Sequence, residues 1–444
     1  MRTEQKQEWG MSSGTQSTVL GPQSLRRNGG VIMKGYFRRT LTVASVAVAL
    51  VSMTTTPVAA QFNSGSTGAD GAFNPSCAPT PCTVTVALPA SGIFNFTTVN
   101  VPAGVTVMFS HNPANTPVTI LASGDVTIAG TIDVSGQDGF QSAPGRGGPG
   151  GFDGGPGRTP TGSQGGTSGL GPGGGSGAIP NGASFGTRLG GPPTYGLPTL
   201  LPLIGGSGGG GSPILPGGGA GAGGGGGGGG AILIASSGNI AVTGTVRSNG
   251  GNTSTIGGGG SGACGSGGAI RLIANQIAGN GTIQAKGRDN VFLACAGLTG
   301  SGSGEGRIRF EASNLAFNLT GTISPAATFG LPGPVFTPAD FPAVKITSVG
   351  GAATPLPPQG TFVEPPDITL SPVAPNPVTI NLQANNVPVG TLIAVSVKTE
   401  GAGAPVTVNS TPLVGTLANS TATASVTLPN ATSVISATAT FVTP

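Results

Sequence analysis

A phrase of ten residues recurs in this chain. Ser123-Gly-Asp-Val-Thr-Ile-Ala-Gly-Thr-Ile132 returns as Ser237-Gly-Asn-Ile-Ala-Val-Thr-Gly-Thr-Val246, with weaker echoes at 276–283 and 317–323. Ala231-Ile-Leu-Ile, Ala269-Ile-Arg-Leu and Arg307-Ile-Arg-Phe open 38 residues apart each time. A fixed period of strand-forming residues and glycine turns predicts a solenoid, because each unit has an apolar face that only its neighbour can cover. Val126, Ile128, Gly130 and Ile132 share a parity with Ile240, Val242, Gly244 and Val246, so both sets should point inward. Three short strands fit each unit, which predicts a parallel β-helix, right-handed by the crossover preference.

The first 60 residues read as a leader. Residues 1–32 look like an extension ahead of a natural start at Met33. A basic stretch, Met33 to Arg39, precedes an apolar run, Leu41 to Met53, and a small-residue cleavage site, Val58-Ala-Ala60. This is the pattern of a bacterial secretory signal of Sec type, too short to stay as a membrane span. Of 18 Lys/Arg and 14 Asp/Glu, seven and two fall in this leader, leaving 11 and 12. The exported chain is therefore near neutral, which gives no reason to expect nucleic acid as a partner. Four cysteines in an exported chain point to disulfides, and the expected pairs are Cys77–Cys82 and Cys264–Cys295. Zinc is a poor alternative, since the spacing is wrong and His111 is the single histidine.

Residues 61–135 alternate apolar and polar positions around turns, as in Val84-Thr-Val86 and Val105-Thr-Val107, and read as the first coils. Residues 136–230 hold 42 glycines in 95 positions and end in the run Gly223 to Gly230. Such a stretch lacks the apolar surface to offset its ordering entropy, so a flexible or polyglycine-like flap without its own core is expected. Smaller glycine loops, Gly257 to Gly268 and Gly300 to Gly306, should leave the same side of the later coils, which span 231–325. Residues 326–366 are Pro-rich and read as a linker. Residues 367–444 carry four strand-like runs and suit a small sandwich of immunoglobulin-like type, without its Cys–Trp–Cys core.

Three stretches carry a resemblance: Phe94-Asn-Phe-Thr-Thr-Val-Asn-Val-Pro-Ala-Gly-Val-Thr-Val107, Thr116 to Val134, and Ser266-Gly-Gly-Ala-Ile-Arg-Leu-Ile-Ala274. Over residues 61–325 the chain resembles bacterial exported, glycine-rich, adhesin-like β-helix proteins of unassigned function. The resemblance implies architecture and says nothing of activity.

Repeat alignment makes the chemistry testable, because equivalent positions form columns. A glycosidase needs two carboxyl groups facing one bond, and a lyase clusters acids around calcium beside a base. The columns read Asp133, Arg247, Gln284, Ser324 and Asp125, Asn239, Gln276, Ala316, and neither is acidic. Asp133 over Arg247 should form a surface pair worth at most about 1 kcal/mol. Asp138 and Asp153 lie among glycines and read as solvated turns rather than calcium ligands. His111 reads as a solvated loop residue. A third column, Thr131, Thr245, Thr282 and Thr322, faces outward. A flat threonine array can bind ice, but the companion positions Thr127, Ala241, Ala278 and Asn318 favour cross-strand packing.

No catalytic residue, metal ligand or cofactor is assigned. The reading is a secreted or cell-surface structural and adhesive protein with no catalytic activity, with extracellular polysaccharide or surface proteins as partners. A carbohydrate-active enzyme and a glycan-binding module are the alternatives. The latter calls for aromatic platforms, and beyond the leader the chain has one tyrosine, Tyr195, plus phenylalanines that mostly sit in strand patterns.

Overall fold

The computed structural model describes residues 2–3, 61–158, 165–177, 195–213, 222–253, 262–287 and 303–442. Apart from Arg2 and Thr3, the leader lies outside them. The described chain is all-β, with one 3-10 turn at Ser313–Leu315 and no α-helix.

After β1 (Arg2–Thr3), the strands cycle through three parallel sheets. The first coil holds β2 (Cys82–Ala87), β3 (Ile93–Phe96) and β4 (Val99–Val101). The second holds β5 (Val105–Ser110), β6 (Val118–Ala122) and β7 (Val126–Ile128), and the third β8 (Thr131–Asp133), β9 (Ala231–Ser236) and β10 (Ile240–Val242). The fourth has β11 (Thr245–Arg247), β12 (Ala269–Ala274) and β13 (Ile277–Gly279). The fifth has β14 (Thr282–Gln284), β15 (Arg307–Ala312) and β16 (Phe317–Leu319). β17 (Thr322–Ser324) and β18 (Thr328–Gly330) close the stack. Equivalent strands of successive coils pair in parallel, an arrangement consistent with a parallel β-helix.

The repeat alignment is the observed register. Ile132, Val246 and Ile283 stack, as do Val126, Ile240 and Ile277, and all are buried in one core. Phe73, Phe94, Phe96 and Phe109 stack at one end of that core, and Phe310, Phe317 and Phe329 at the other, so rings cover coil ends that have no further neighbour. Cys77 and Cys82 are disulfide-bonded beside the first coil. Cys264 is also disulfide-bonded, and its expected partner Cys295 lies outside the described residues.

The glycine-rich stretch departs from expectation. Its described residues are largely buried and hydrogen-bonded, so the flexible alternative is corrected, and the segments are extended and polyglycine-like. Gly223–Gly230 sits at the centre of a set of extended segments. Its amides donate in a three-residue rotation. Gly224, Gly227 and Gly230 donate to Gln141, Gln137 and Val134; Gly225 and Gly228 to Gly155 and Phe152; Gly226 and Gly229 to Ala263 and Ser266. Its carbonyls accept from three further segments, through Gly145 and Gly148, through Gly206, Gly209 and Ser212, and through Gly251. A three-residue turn has no internal hydrogen bonds and points successive amides in three directions, which is the pattern seen. Apolar burial does not order this segment. What orders this segment is backbone pairing, which also removes the usual objection to burying a loop. As expected, the loops of later coils join from the same side, through Gly262–Gly268 and Gly304–Gly306.

The C-terminal strands are β19 (Ala343–Val349), β20 (Ala352–Ala353), β21 (Val378–Asn385), β22 (Ile393–Thr399), β23 (Val406–Asn409), β24 (Val414–Thr416), β25 (Asn419–Val426) and β26 (Ser433–Ala439). They form two sheets, β20-β19-β21-β25-β24 and β26-β22-β23, antiparallel throughout and packed on a common apolar core. β1 adds to β26 in parallel. Two boundaries move. β18 belongs to the coil stack, and β19 and β20 to the C-terminal sheets, so the expected linker contains strands of both. Its remaining stretch is tied down as well, by Gly333 N donating to Glu311 Oε2 and by Arg146 pairing with Glu364 at 2.6 Å.

Candidate functional site

Two faces of the stack meet solvent. The third, β3-β6-β9-β12-β15-β18, is covered on its outer side. Leu121, Leu233, Ala235 and Ile273 are buried there under Phe62, Leu203 and Val335. In the later coils that outer surface becomes charged. Leu233, Arg271 and Arg309 form one column, Ala235, Ile273 and Glu311 the next, and Ala231, Ala269 and Arg307 a third.

Glu311 is the hub of this region. Arg271 Nε donates to Glu311 Oε1 at 3.1 Å and a terminal nitrogen to Oε2 at 2.9 Å. Arg309 Nε adds a third bond at 3.2 Å, and Gly333 N a fourth at 2.7 Å. Arg271 and Glu311 are only 1% and 2% exposed, so this is a desolvated, fork-on-fork pair.

Arg307 lies at the edge of the same sheet and lines a cavity of about 170 Å³ between the sheet and the glycine segments. Its Nε donates to the Tyr195 carbonyl at 3.1 Å. The Tyr195 hydroxyl donates to Gly205 O at 2.6 Å and accepts from Ser207 Oγ at 3.0 Å. Ser266 Oγ accepts from Ser207 N at 2.7 Å. Tyr195, Ser207, Ser266 and Glu305 all line the cavity, and the disulfide-bonded Cys264 stands in its wall.

Comparison with protein-family models, curated proteins and solved structures returns no match for this chain.

The residues singled out in the sequence are dispersed. Asp133 and Arg247 form the expected pair at 2.7 Å. Asp125 Oδ1 accepts from Asn239 N, and Asp138 Oδ1 from Asn252 N, each one coil further on. These carboxylates hold turns of adjacent coils in register. Asp153 departs from the solvated-turn reading. It is buried, Oδ1 accepts from Gly147 N at 2.8 Å, and Oδ2 accepts from Thr361 Oγ1. No group of three or more His, Cys, Asp or Glu that could hold a metal ion occurs among the described residues. No described helix is long and apolar enough to cross a membrane.

The threonine column is longer than the phrase suggested. Thr83 and Thr106 continue it, so six threonines stand in register across β2-β5-β8-β11-β14-β17. Beside them on the same face run Thr85, Met108, Asp133, Arg247, Gln284 and Ser324, with an ion pair in the middle.

His111 is also misplaced by the sequence reading. It is half-buried, with Nε2 2.6 Å from Gly147 O. A carbonyl only accepts, so Nε2 carries the proton. Burial, and then the neighbouring Arg146 cation, push its pKa below the usual 6.5. The unfolded chain therefore takes up the proton first. Stability from this group is complete above about pH 6.5 and is lost as pH falls below that value toward the depressed folded pKa. Urea midpoints at pH 7.5 and 5.5 should fall more for the wild type than for His111→Gln. Equal falls would show that His111 contributes nothing.

The C-terminal sheets also hold the glycine segments. Lys398 Nζ donates to Gly169 O and Gly171 O, both at 2.9 Å. Gly401 N donates to Thr167 Oγ1 at 2.8 Å, and Gly177 N to Gly403 O at 2.9 Å. Phe152, Leu170 and Val434 add an apolar contact. The buried ammonium is answered by two carbonyls, of which Gly171 O also accepts from Gly174 N.

Proposed function

We propose that the chain is exported and works outside the cell as a surface-associated structural and adhesive protein without catalytic activity. In this reading the coils are a right-handed parallel β-helix that acts as a spacer, and the C-terminal sheets are an immunoglobulin-like sandwich. The observation that carries it is how the charged side chains are used. Asp125, Asp133, Asp138, Asp153, Glu311 and Glu364 each hold a backbone amide, a hydroxyl or a cation of the framework. The leader pattern and the disulfides fit an oxidising compartment. Residues near the ligand of an adhesin need a rigid support, and the coils, glycine segments and C-terminal sheets are bonded to one another directly.

Fractionation of the native organism, with detection of the protein in medium, surface and cytosol, tests export. The protein is expected in medium or surface fractions with residues 1–60 removed. Accumulation in the cytosol with the leader intact would overturn the proposal. Incubation with a polysaccharide panel tests the enzyme alternative. No cleavage is expected, and cleavage abolished by Asp133→Ala would establish that alternative.

A further inference from the structure

We propose that the chain pairs with a second copy of itself through the open end of its coil stack, with β17 antiparallel to β17 of the other copy. The inference stands apart from the adhesive reading above. It rests on how the two ends of the stack differ.

At the first end, β3 and β4 are covered. Asp70 N donates to Asn95 O, Asp70 Oδ2 accepts from Asn95 N at 2.6 Å, and Phe73 bridges Val99. Thr97 N and Asn100 N donate back to Gly71 O and Phe73 O. The last end has no such cover among the described residues. There β16, β17 and β18 are the terminal strands of their three sheets. Strand edges are usually blunted by charge, proline or a covering segment. None of these three strands contains a charged residue or a proline, and residues 312–339 hold no Lys, Arg, Asp or Glu. Leu315, Phe329 and Leu331 are each more than half exposed.

A strand residue sends its N–H and C=O to one side, and the side alternates along the chain. Ala285 N donates to Ser324 O, so Ser324 and Thr322 face β14 while the N–H and C=O of Ile323 point out of the stack. Neither group has a hydrogen-bond partner among the described residues. An antiparallel pair on a two-fold axis needs one such residue, which exchanges two N–H···O bonds with its counterpart. The same axis sets β16 opposite β18 of the other copy. Phe317 and Leu319 of β16 point outward by the same parity, since Ala316 O and Thr320 N bond to β13. A second copy suits this end because the coils already cover one another with these same three kinds of strand. With no charge there, two copies meet without repulsion. The covered first end makes the contact close as a pair and not run on as a fibre. Residues 316–331 are fewer than the roughly 20–30 a side of a standard interface, so the pair is a weak one.

Sedimentation velocity on the intact protein, from about 1 μM to about 500 μM, tests this. A monomer–dimer equilibrium is expected, with a dissociation constant on the order of 10 μM. Ile323 packs into the core, so Thr322 and Ser324 point outward, and in the pair each Thr322 stands opposite Ser324 of the other copy. Thr322→Lys with Ser324→Lys sets like charges against each other at two places and should weaken the dimer about tenfold at low salt. Thr322→Lys with Ser324→Glu sets opposite charges there and should pair within about threefold of the wild type. Should the double-lysine variant not fold, hydrogen exchange in the wild type takes its place. The Ile323 amide should exchange about fourfold more slowly at about 100 μM than at about 1 μM. The proposal is overturned if the protein stays monomeric up to about 500 μM, or if it forms species larger than a dimer. It is equally overturned if the double-lysine variant pairs like wild type, if the opposite-charge variant loses pairing as far as the double-lysine one, or if exchange at Ile323 does not depend on concentration.

Discussion

Gly225→Ala is expected to destabilise the protein by about 3 kcal/mol or more, at the upper end of what overpacking costs. A Cβ at this position would sit closer than 3.0 Å to the Gly209 carbonyl group. Gly225 donates to Gly155 and accepts from Gly145, so it cannot move off Gly209 without breaking one of those bonds. Its neighbours are backbone, and backbone has no rotamer to yield. Gly304→Ala is the matched control. There the nearest atom to a new Cβ is Ser266 Cβ at 3.9 Å, an ordinary contact, and the change should stay within about 0.5 kcal/mol. Urea midpoints for the pair check this. Similar midpoints would mean that the glycine segments are not close-packed in solution. Hydrogen exchange gives a second readout, since the amides of Gly225 to Gly230 should be protected in the wild type and lose protection first in Gly225→Ala.

How far the sequence reached depends on which interaction fixes each part. The coil register was legible because side-chain parity repeats: Thr131, Ile132 and Asp133 stand against Thr245, Val246 and Arg247. A column pair such as Asp133–Arg247 can be read straight from that alignment. Arg271 and Glu311 cannot. Arg271 stands opposite Arg309, and Glu311 opposite Ile273, so their contact runs diagonally across β12 and β15. Long side chains bridge such diagonals, but a column-by-column reading passes over them. A signal was present in the arginines that enter at Arg271, Arg307 and Arg309, where β9 has only apolar residues and alanine at matching places. Tyr195 gave no signal, because its contacts are to Ser207, 12 residues on across an irregular glycine segment, and to Arg307, 112 residues on. The glycine segments were misjudged for a different reason. Sequence patterning reports where side chains go, and Gly223–Gly230 has none. Its order lies in six neighbouring segments that converge only once the coils are stacked.

Glu311→Gln should destabilise by about 3–5 kcal/mol, the cost of leaving a buried cation without its partner. The amide keeps the shape of the side chain but turns one acceptor into a donor facing Arg271, Arg309 and Gly333 N. Arg271 is fully buried and has no route to water, whereas Arg309 is partly exposed and also bonds Phe329 O at 2.8 Å. Most of the loss therefore belongs to Arg271. The preceding coils supply the rescue, since Leu233 stands where Arg271 does and Ile273 where Glu311 does. Arg271→Leu combined with Glu311→Ile extends their apolar surface, and the double variant should recover most of the stability that either single change removes. A double-mutant cycle on urea midpoints measures this. If the double variant loses as much as the two singles added together, the ion pair is not the interaction that couples β12 to β15. Recovery would place the specificity of the last coils in packing, with the charges serving to draw Gly333 and the stretch that carries it onto the sheet.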